Sequence, residues 1–169
     1  GKGVFILAGA RSRVHIEAYQ LLNAEIDDLV EELNWKYGQA DWQPIVLMRN
    51  GVSQLSLLAL RRLAHFCVVS SLHDGMNLVA KEFVASRSDE DGVLILSPFT
   101  GAARELTDAL LVNPYATDRF ADAIREAIDM PPEERRLRMR RMRKTVQENN
   151  IYRWAERIIR ELSRLGERV

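Results

Sequence analysis

Asp74 and Glu82 bracket the stretch Asp74-Gly75-Met76-Asn77-Leu78-Val79-Ala80-Lys81-Glu82, in which two carboxylates, a glycine and an asparagine could meet a polar ligand. The run before it, Phe66-Cys67-Val68-Val69, is short, apolar and bounded by polar residues, the pattern of a buried parallel strand. The spacing then predicts a helix over 77–85, starting directly after a glycine turn. In an open α/β sheet this junction lies at the carboxyl end of a strand, where the helix start offers unpaired N–H groups and the positive end of its dipole. Such an end favours phosphate. Gly75 lets a ligand approach the backbone, Asp74 can accept hydrogen bonds from hydroxyls, and Glu82 follows about two turns on at ~1.5 Å per residue. A phosphorylated, polyhydroxylated ligand suits these groups, but a solvated helix start carries the same pattern, and the residues alone leave both readings open.

Other chemistry-bearing residues are scattered. Gly9-Ala10-Arg11-Ser12-Arg13 forms a polar turn after an apolar run, and its arginines read either as solvated cations or as an anion clamp. His15, His65 and His73 fall on different elements with no cysteine beside them, so no metal site is expected. The single cysteine, Cys67, sits in an apolar strand, which excludes a disulfide framework and fits an inert thiol in a reducing, cytoplasmic setting. Arg135 to Lys144 holds seven cations in ten residues. Leu137, Met139 and Met142 interleave with them and no aromatic residue accompanies them, so a solvated helix face is expected rather than a nucleic-acid arm.

The elements that must position these groups form an alternation of strands and helices. Apolar β-rich runs at 4–8, 44–48, 66–69, 92–96 and 110–112 read as strands. Between and after them, helical patterns cover 16–35, 54–64, 77–85, 118–129, a stretch from the Pro131-Pro132 pair, and 151–165. Gly38 is expected as a left-handed cap of the first helix, which should cover one sheet face. Ser53 and Thr117 are expected to cap two others. Trp154, Ile158, Ile159 and Leu162 are placed toward the core. With 169 residues the chain has the length of one ordinary domain, and its zero formal net charge gives no pull toward nucleic acid or acidic lipid. No apolar run approaches the ~20 residues that span a bilayer, and no membrane partner is expected.

The stretch from Asp74 to Glu82 matches the signature of trehalose-phosphate synthases and close relatives such as glucosylglycerol-phosphate synthases. Further matches are Ser12-Arg13, Ala18-Tyr19-Gln20, Lys36-Tyr37-Gly38-Gln39, Leu96-Ser97-Pro98-Phe99-Thr100-Gly101-Ala102-Ala103 and Val112-Asn113-Pro114-Tyr115, in family order across nearly the whole sequence. The chain therefore resembles these retaining glycosyltransferases of the two-Rossmann-domain (GT-B) architecture. The resemblance implies an α/β fold, a Rossmann-like parallel sheet with helices on both faces. It implies that 1–169 is a single nucleotide-sugar-binding domain, the C-terminal half of such an enzyme. The first strand of that domain and the N-terminal GT-B domain have no counterpart in the sequence. A C-terminal helix of about 150–169 would cross back toward that N-terminal domain and leave part of its apolar face exposed.

The resemblance also implies a reaction: glucose moves from UDP-glucose to a sugar or polyol phosphate with retention at the anomeric carbon, without metal or cofactor. Asp74 would be the catalytic carboxylate that accepts from glucose hydroxyls, with Gly75, Met76 and Asn77 touching the sugar through backbone. The amides of Leu78 and Val79 would hold the diphosphate, Glu82 the ribose, Val52 the uracil, and Arg13 the acceptor phosphate. The family often has an aromatic residue where Val52 stands and an arginine where His73 stands. Its leaving-group arginine and lysine, and its acceptor-side groups, have no counterpart here, so the isolated chain is expected to be inactive. A non-catalytic nucleotide-sugar or interaction module, and a pseudo-glycosyltransferase relative, are the alternatives; nucleotide preference, acceptor and homo-oligomerisation stay open.

Overall fold

The computed structural model describes residues 3–9, 14–49 and 51–166, and the chain divides into two compact units, 1–57 and 58–169. In the first unit, strand β1 (Phe5–Ala8) pairs in parallel with β2 (Ile45–Met48), Phe5 opposite Ile45 and Ala8 opposite Met48. Helix α1 (Glu17–Tyr37) connects them. Asn34 of α1 locks to β2 from both sides of its amide, accepting from the Ile45 amide at 3.0 Å and donating to the Ile45 carbonyl at 2.9 Å. The helical period read from the sequence is present, with Ile26, Val30 and Leu33 half-buried, yet no α1 residue is fully buried and Leu21, Leu22 and Leu29 stay exposed. A two-stranded sheet offers too little face to cover so long a helix.

Gly38 corrects an expectation: its φ is −68°, not left-handed. Its N–H still closes the helix on the Asn34 carbonyl at 2.8 Å, and a Cβ there would meet that same oxygen at 2.2 Å, so the position excludes a side chain by crowding rather than by backbone twist. Ser53 caps as expected, its Oγ accepting from the Ser56 amide at 3.1 Å at the start of α2 (Gln54–Leu63).

The second unit carries the fuller architecture. Strands β3 (Phe66–Val69), β4 (Val93–Leu96) and β5 (Leu110–Leu111) form a parallel sheet in that order, with β4 central and buried at all four positions. Parallel strands buried on both faces read as unbroken apolar runs, as Val93-Leu94-Ile95-Leu96 does. Leu94 and Leu96 pack on one face with Ala80, Phe83 and Val84 of α3 (Leu78–Ser86) and with Met139 and Met142 of α5 (Pro132–Glu148). Val93 and Ile95 pack on the other face with Ala123 and Ala127 of α4 (Thr117–Asp129). Helices thus cover both faces, as a Rossmann-like sheet requires. Thr117 is the first residue of α4 rather than its cap, and Ala116 takes the capping position without a side-chain bond. Pro132 opens α5, where its missing N–H costs nothing.

Two surface expectations change. The cations of α5 are not simply solvated: Arg135 pairs with Asp91 at 2.7 Å, Arg140 with Glu90 at 2.8 Å and Arg141 with Asp108 at 3.3 Å, while Arg143 donates to the Ala85 carbonyl at 2.8 Å. The helix is riveted to the end of α3 and to the approach to β4. In the last helix, α6 (Ile151–Gly166), Trp154, Ile158, Ile159 and Leu162 do not face the core; all four are exposed. Among the described residues no helix is long and apolar enough to cross a membrane.

Candidate functional site

The loop 74–77 leaves the carboxyl end of the sheet and is organised by its own side chains. Asp74 Oδ1 accepts from the Met76 amide at 3.0 Å, and Oδ2 accepts from Asn77 Nδ2 at 3.0 Å. These bonds, the Met76 amide first and the Asn77 side chain next, hold the Asp74 carboxyl below the usual carboxylate range. Asn77 itself is left-handed, with φ 72° and ψ 89°, a region that a short polar side chain tolerates. From there its Oδ1 accepts from the Ala80 amide at 2.9 Å, so the expected helix start moves by one residue: Asn77 is the cap and Leu78 the first helical residue.

This cap leaves a gap. Of the first three helix amides, only that of Ala80 is taken; among the described residues the N–H groups of Leu78 and Val79 donate to nothing. Both residues are exposed, whereas Ala80, Phe83 and Val84 are buried, so the helix turns one face inward and offers the other. Two open amides at a helix N-terminus suit an anion. On the same exposed face, Glu82 is half-exposed and its Oε2 lies 2.6 Å from a guanidinium nitrogen of Arg61.

The loop is held from outside by the segment after β4. Asp74 N donates to Phe99 O at 3.3 Å, Gly101 N to Asp74 O at 2.9 Å and Ala102 N to Met76 O at 2.7 Å. A Cβ on Gly101 would lie 2.0 Å from the Gly75 carbonyl oxygen, so the close approach of backbones belongs to Gly101, while the space around Gly75 is open. One turn into the helix, Lys81 Nζ bonds Glu105 Oε1 at 2.9 Å and fixes α3 to the same segment. The sequence of 97–103 does not reveal this partner, because the contact joins residues some 26 apart through backbone atoms that no pattern of side chains announces.

Asp74, Gly75, Met76, Asn77, Leu78, Val79 and Glu82 thus fall on one loop and one helix turn. Val52 is half-buried in the short segment before α2, in the first unit. Arg13 lies outside the described residues. His73 is exposed beside Asp74.

Fold and loop define a Rossmann-like α/β protein with an open helix N-terminus at the carboxyl edge of its parallel sheet. Residues 1–164 match glycosyltransferase family 20, and the chain belongs to that family. It is 40% identical over 167 residues to the UDP-forming alpha,alpha-trehalose-phosphate synthase of Botryotinia fuckeliana, covering 99% of this chain and 32% of that protein. It is 38% identical over 156 residues to the glucosylglycerol-phosphate synthase of a Picosynechococcus strain, covering 92% and 31%. The solved E. coli trehalose-6-phosphate structure bound with UDP-2-fluoro glucose superposes with a TM-score of 0.91 at 38% identity, covering 96% of this chain and 36% of that one. The α/β fold is therefore that of the GT-B trehalose-phosphate synthases, and the chain spans about a third of the length of the relatives it matches.

Proposed function

We propose that this chain supplies the donor-binding part of a retaining glycosyltransferase that moves glucose from UDP-glucose to a sugar or polyol phosphate. The observation that carries the reading is the pair of unclaimed amides, Leu78 and Val79, opening α3 in a chain of glycosyltransferase family 20. In this reading they receive the diphosphate, and the charge that grows on it as the glycosidic bond breaks is met by donors already in place. An interaction of that kind is worth roughly 3–4 kcal/mol per donor where one has been removed from an enzyme. No metal or other cofactor is called for, and Cys67 suits a cytoplasmic place of action.

Asp74 has two tasks. Its internal bonds set the loop, and because its carboxyl stays ionised at neutral pH, its remaining lone pairs accept from glucose hydroxyls. Gly75, Met76 and Asn77 pass along the sugar, Glu82 takes the ribose hydroxyls, Val52 packs by the uracil, and Arg13 holds the acceptor phosphate. These 169 residues alone bind donor without turning it over.

Titration calorimetry of the chain with UDP, UDP-glucose, GDP and uridine tests this. UDP and UDP-glucose should bind more tightly than GDP, and uridine, lacking the diphosphate, should bind far more weakly. Equal affinity for uridine and UDP, or no binding of either UDP ligand, would refute the assignment. Glucose transfer to a sugar phosphate by these residues alone would overturn the claim of inactivity.

A further inference from the structure

We propose that Arg61 is a positioning residue that sets Glu82 for ribose recognition and offsets its charge beside the donor's diphosphate, an inference that rests on the donor-binding reading above. Arg61 stands in the last turn of α2, its side chain 16% exposed, with a guanidinium nitrogen 2.6 Å from Glu82 Oε2; the Glu82 side chain is 49% exposed. A glutamate on an open helix face ordinarily wanders among rotamers, and that freedom is lost on binding. Here a largely buried cation sits against Oε2, and Oε1 accepts no hydrogen bond among the described residues. A carboxylate with one oxygen fixed and one unclaimed is set to accept from neighbouring hydroxyls.

The backbone that carries this cation is itself held in place. The Arg61 carbonyl accepts from Arg87 Nη1 at 3.2 Å, and Arg87, 5% exposed, also donates to the carbonyls of Arg62, Ala64 and Asp91. Arg62 points its fork elsewhere, to Ser88 Oγ at 3.2 Å. Charge gives Arg61 a second role. Glu82 follows Leu78 by four residues, about 6 Å along the helix at ~1.5 Å per residue. An unpaired carboxylate that near the open amides would repel a diphosphate seated on them.

The test compares UDP with 2′,3′-dideoxy-UDP on the chain and on Arg61→Gln, Arg61→Lys, Glu82→Gln and the Arg61→Gln/Glu82→Gln pair, with a thermal melt of each to show that it folds. Hydrogen bonds to a carboxylate predict that the unaltered chain prefers UDP by about tenfold or more. Arg61→Gln should bring that ratio to about twofold, Arg61→Lys should keep most of it, and Arg61→Gln should not lower it further once Glu82 is glutamine. A purely structural role would weaken both nucleotides alike and leave the ratio intact, which overturns the proposal. So does UDP binding with no ribose preference in the unaltered chain, which leaves the donor-binding reading standing. Absence of UDP binding refutes that reading first, and this inference with it.

Discussion

Replacing Gly101 by alanine should loosen the loop that carries the site, and the structure sets the size of the effect. The new Cβ would sit 2.0 Å from the Gly75 carbonyl oxygen, 2.8 Å from its carbon and 3.2 Å from Met76 Cα, all backbone atoms with no rotamer to yield. Carbon and oxygen need over 3 Å, so the loops 74–76 and 99–102 must part by at least ~1 Å. The bonds from Gly101 N to Asp74 O, 2.9 Å, and from Ala102 N to Met76 O, 2.7 Å, stretch or break as they do. Overpacking of this kind costs about 1–3 kcal/mol and each lost hydrogen bond about 0.5–1.5 kcal/mol, so Gly101→Ala should destabilise by about 2–4 kcal/mol after partial relaxation. For a chain of this length that is a fall in melting temperature of roughly 5–15 °C. Thermal denaturation reads the total, and amide hydrogen exchange at positions 101 and 102 shows whether the clasp is what opened. Gly75→Ala is the control: nothing lies within 4 Å of its added carbon, so its stability change should stay under about 0.5 kcal/mol. A melt unchanged by Gly101→Ala, or equal losses at both glycines, would refute the reasoning.

Two further expectations concern titration. Asp74 accepts its hydrogen bonds as an anion, so its folded pKa is depressed; the stability it contributes is fully present above the unfolded value of ~3.9 and is lost as pH falls through the lower folded value. A carboxyl-carbon NMR titration should place its midpoint below that of an unperturbed aspartate; a midpoint at or above it would contradict the loop geometry. Burial pushes the Cys67 thiol up to about 11, so a disulfide reagent at neutral pH should leave the folded chain unlabelled and react on addition of denaturant. Rapid labelling of the native chain would show that the strand is more open than described.

The strands and helices were legible because each is announced by its own residues. Val93-Leu94-Ile95-Leu96 is apolar throughout since both faces of a central parallel strand are covered, and the period of α4 survives in the burial of Ala123 and Ala127. The loop 74–77 was legible as a turn opening a helix through its glycine and asparagine, though not the left-handed turn of Asn77 that decides which amides remain free. What the sequence hid were pairings across distance. The cations of α5 looked solvent-facing because their acids, Asp91 for Arg135 and Glu90 for Arg140, lie 44 and 50 residues upstream. Arg61 and Glu82 belong to different helices, and no periodicity connects them. The apolar stripe of α6 shows the converse: its period is plain, but the fold of the described residues leaves it exposed.

Asn77 also limits what could stand in its place. Its Nδ2 donates toward Asp74 and, at 3.4 Å, Ser71, while its Oδ1 accepts from Ala80, all from a backbone with positive φ. Aspartate has the shape but cannot donate, glycine has the backbone freedom but no arm, and glutamine has the amide on too long a tether. Of these four residues only asparagine meets all three demands at once.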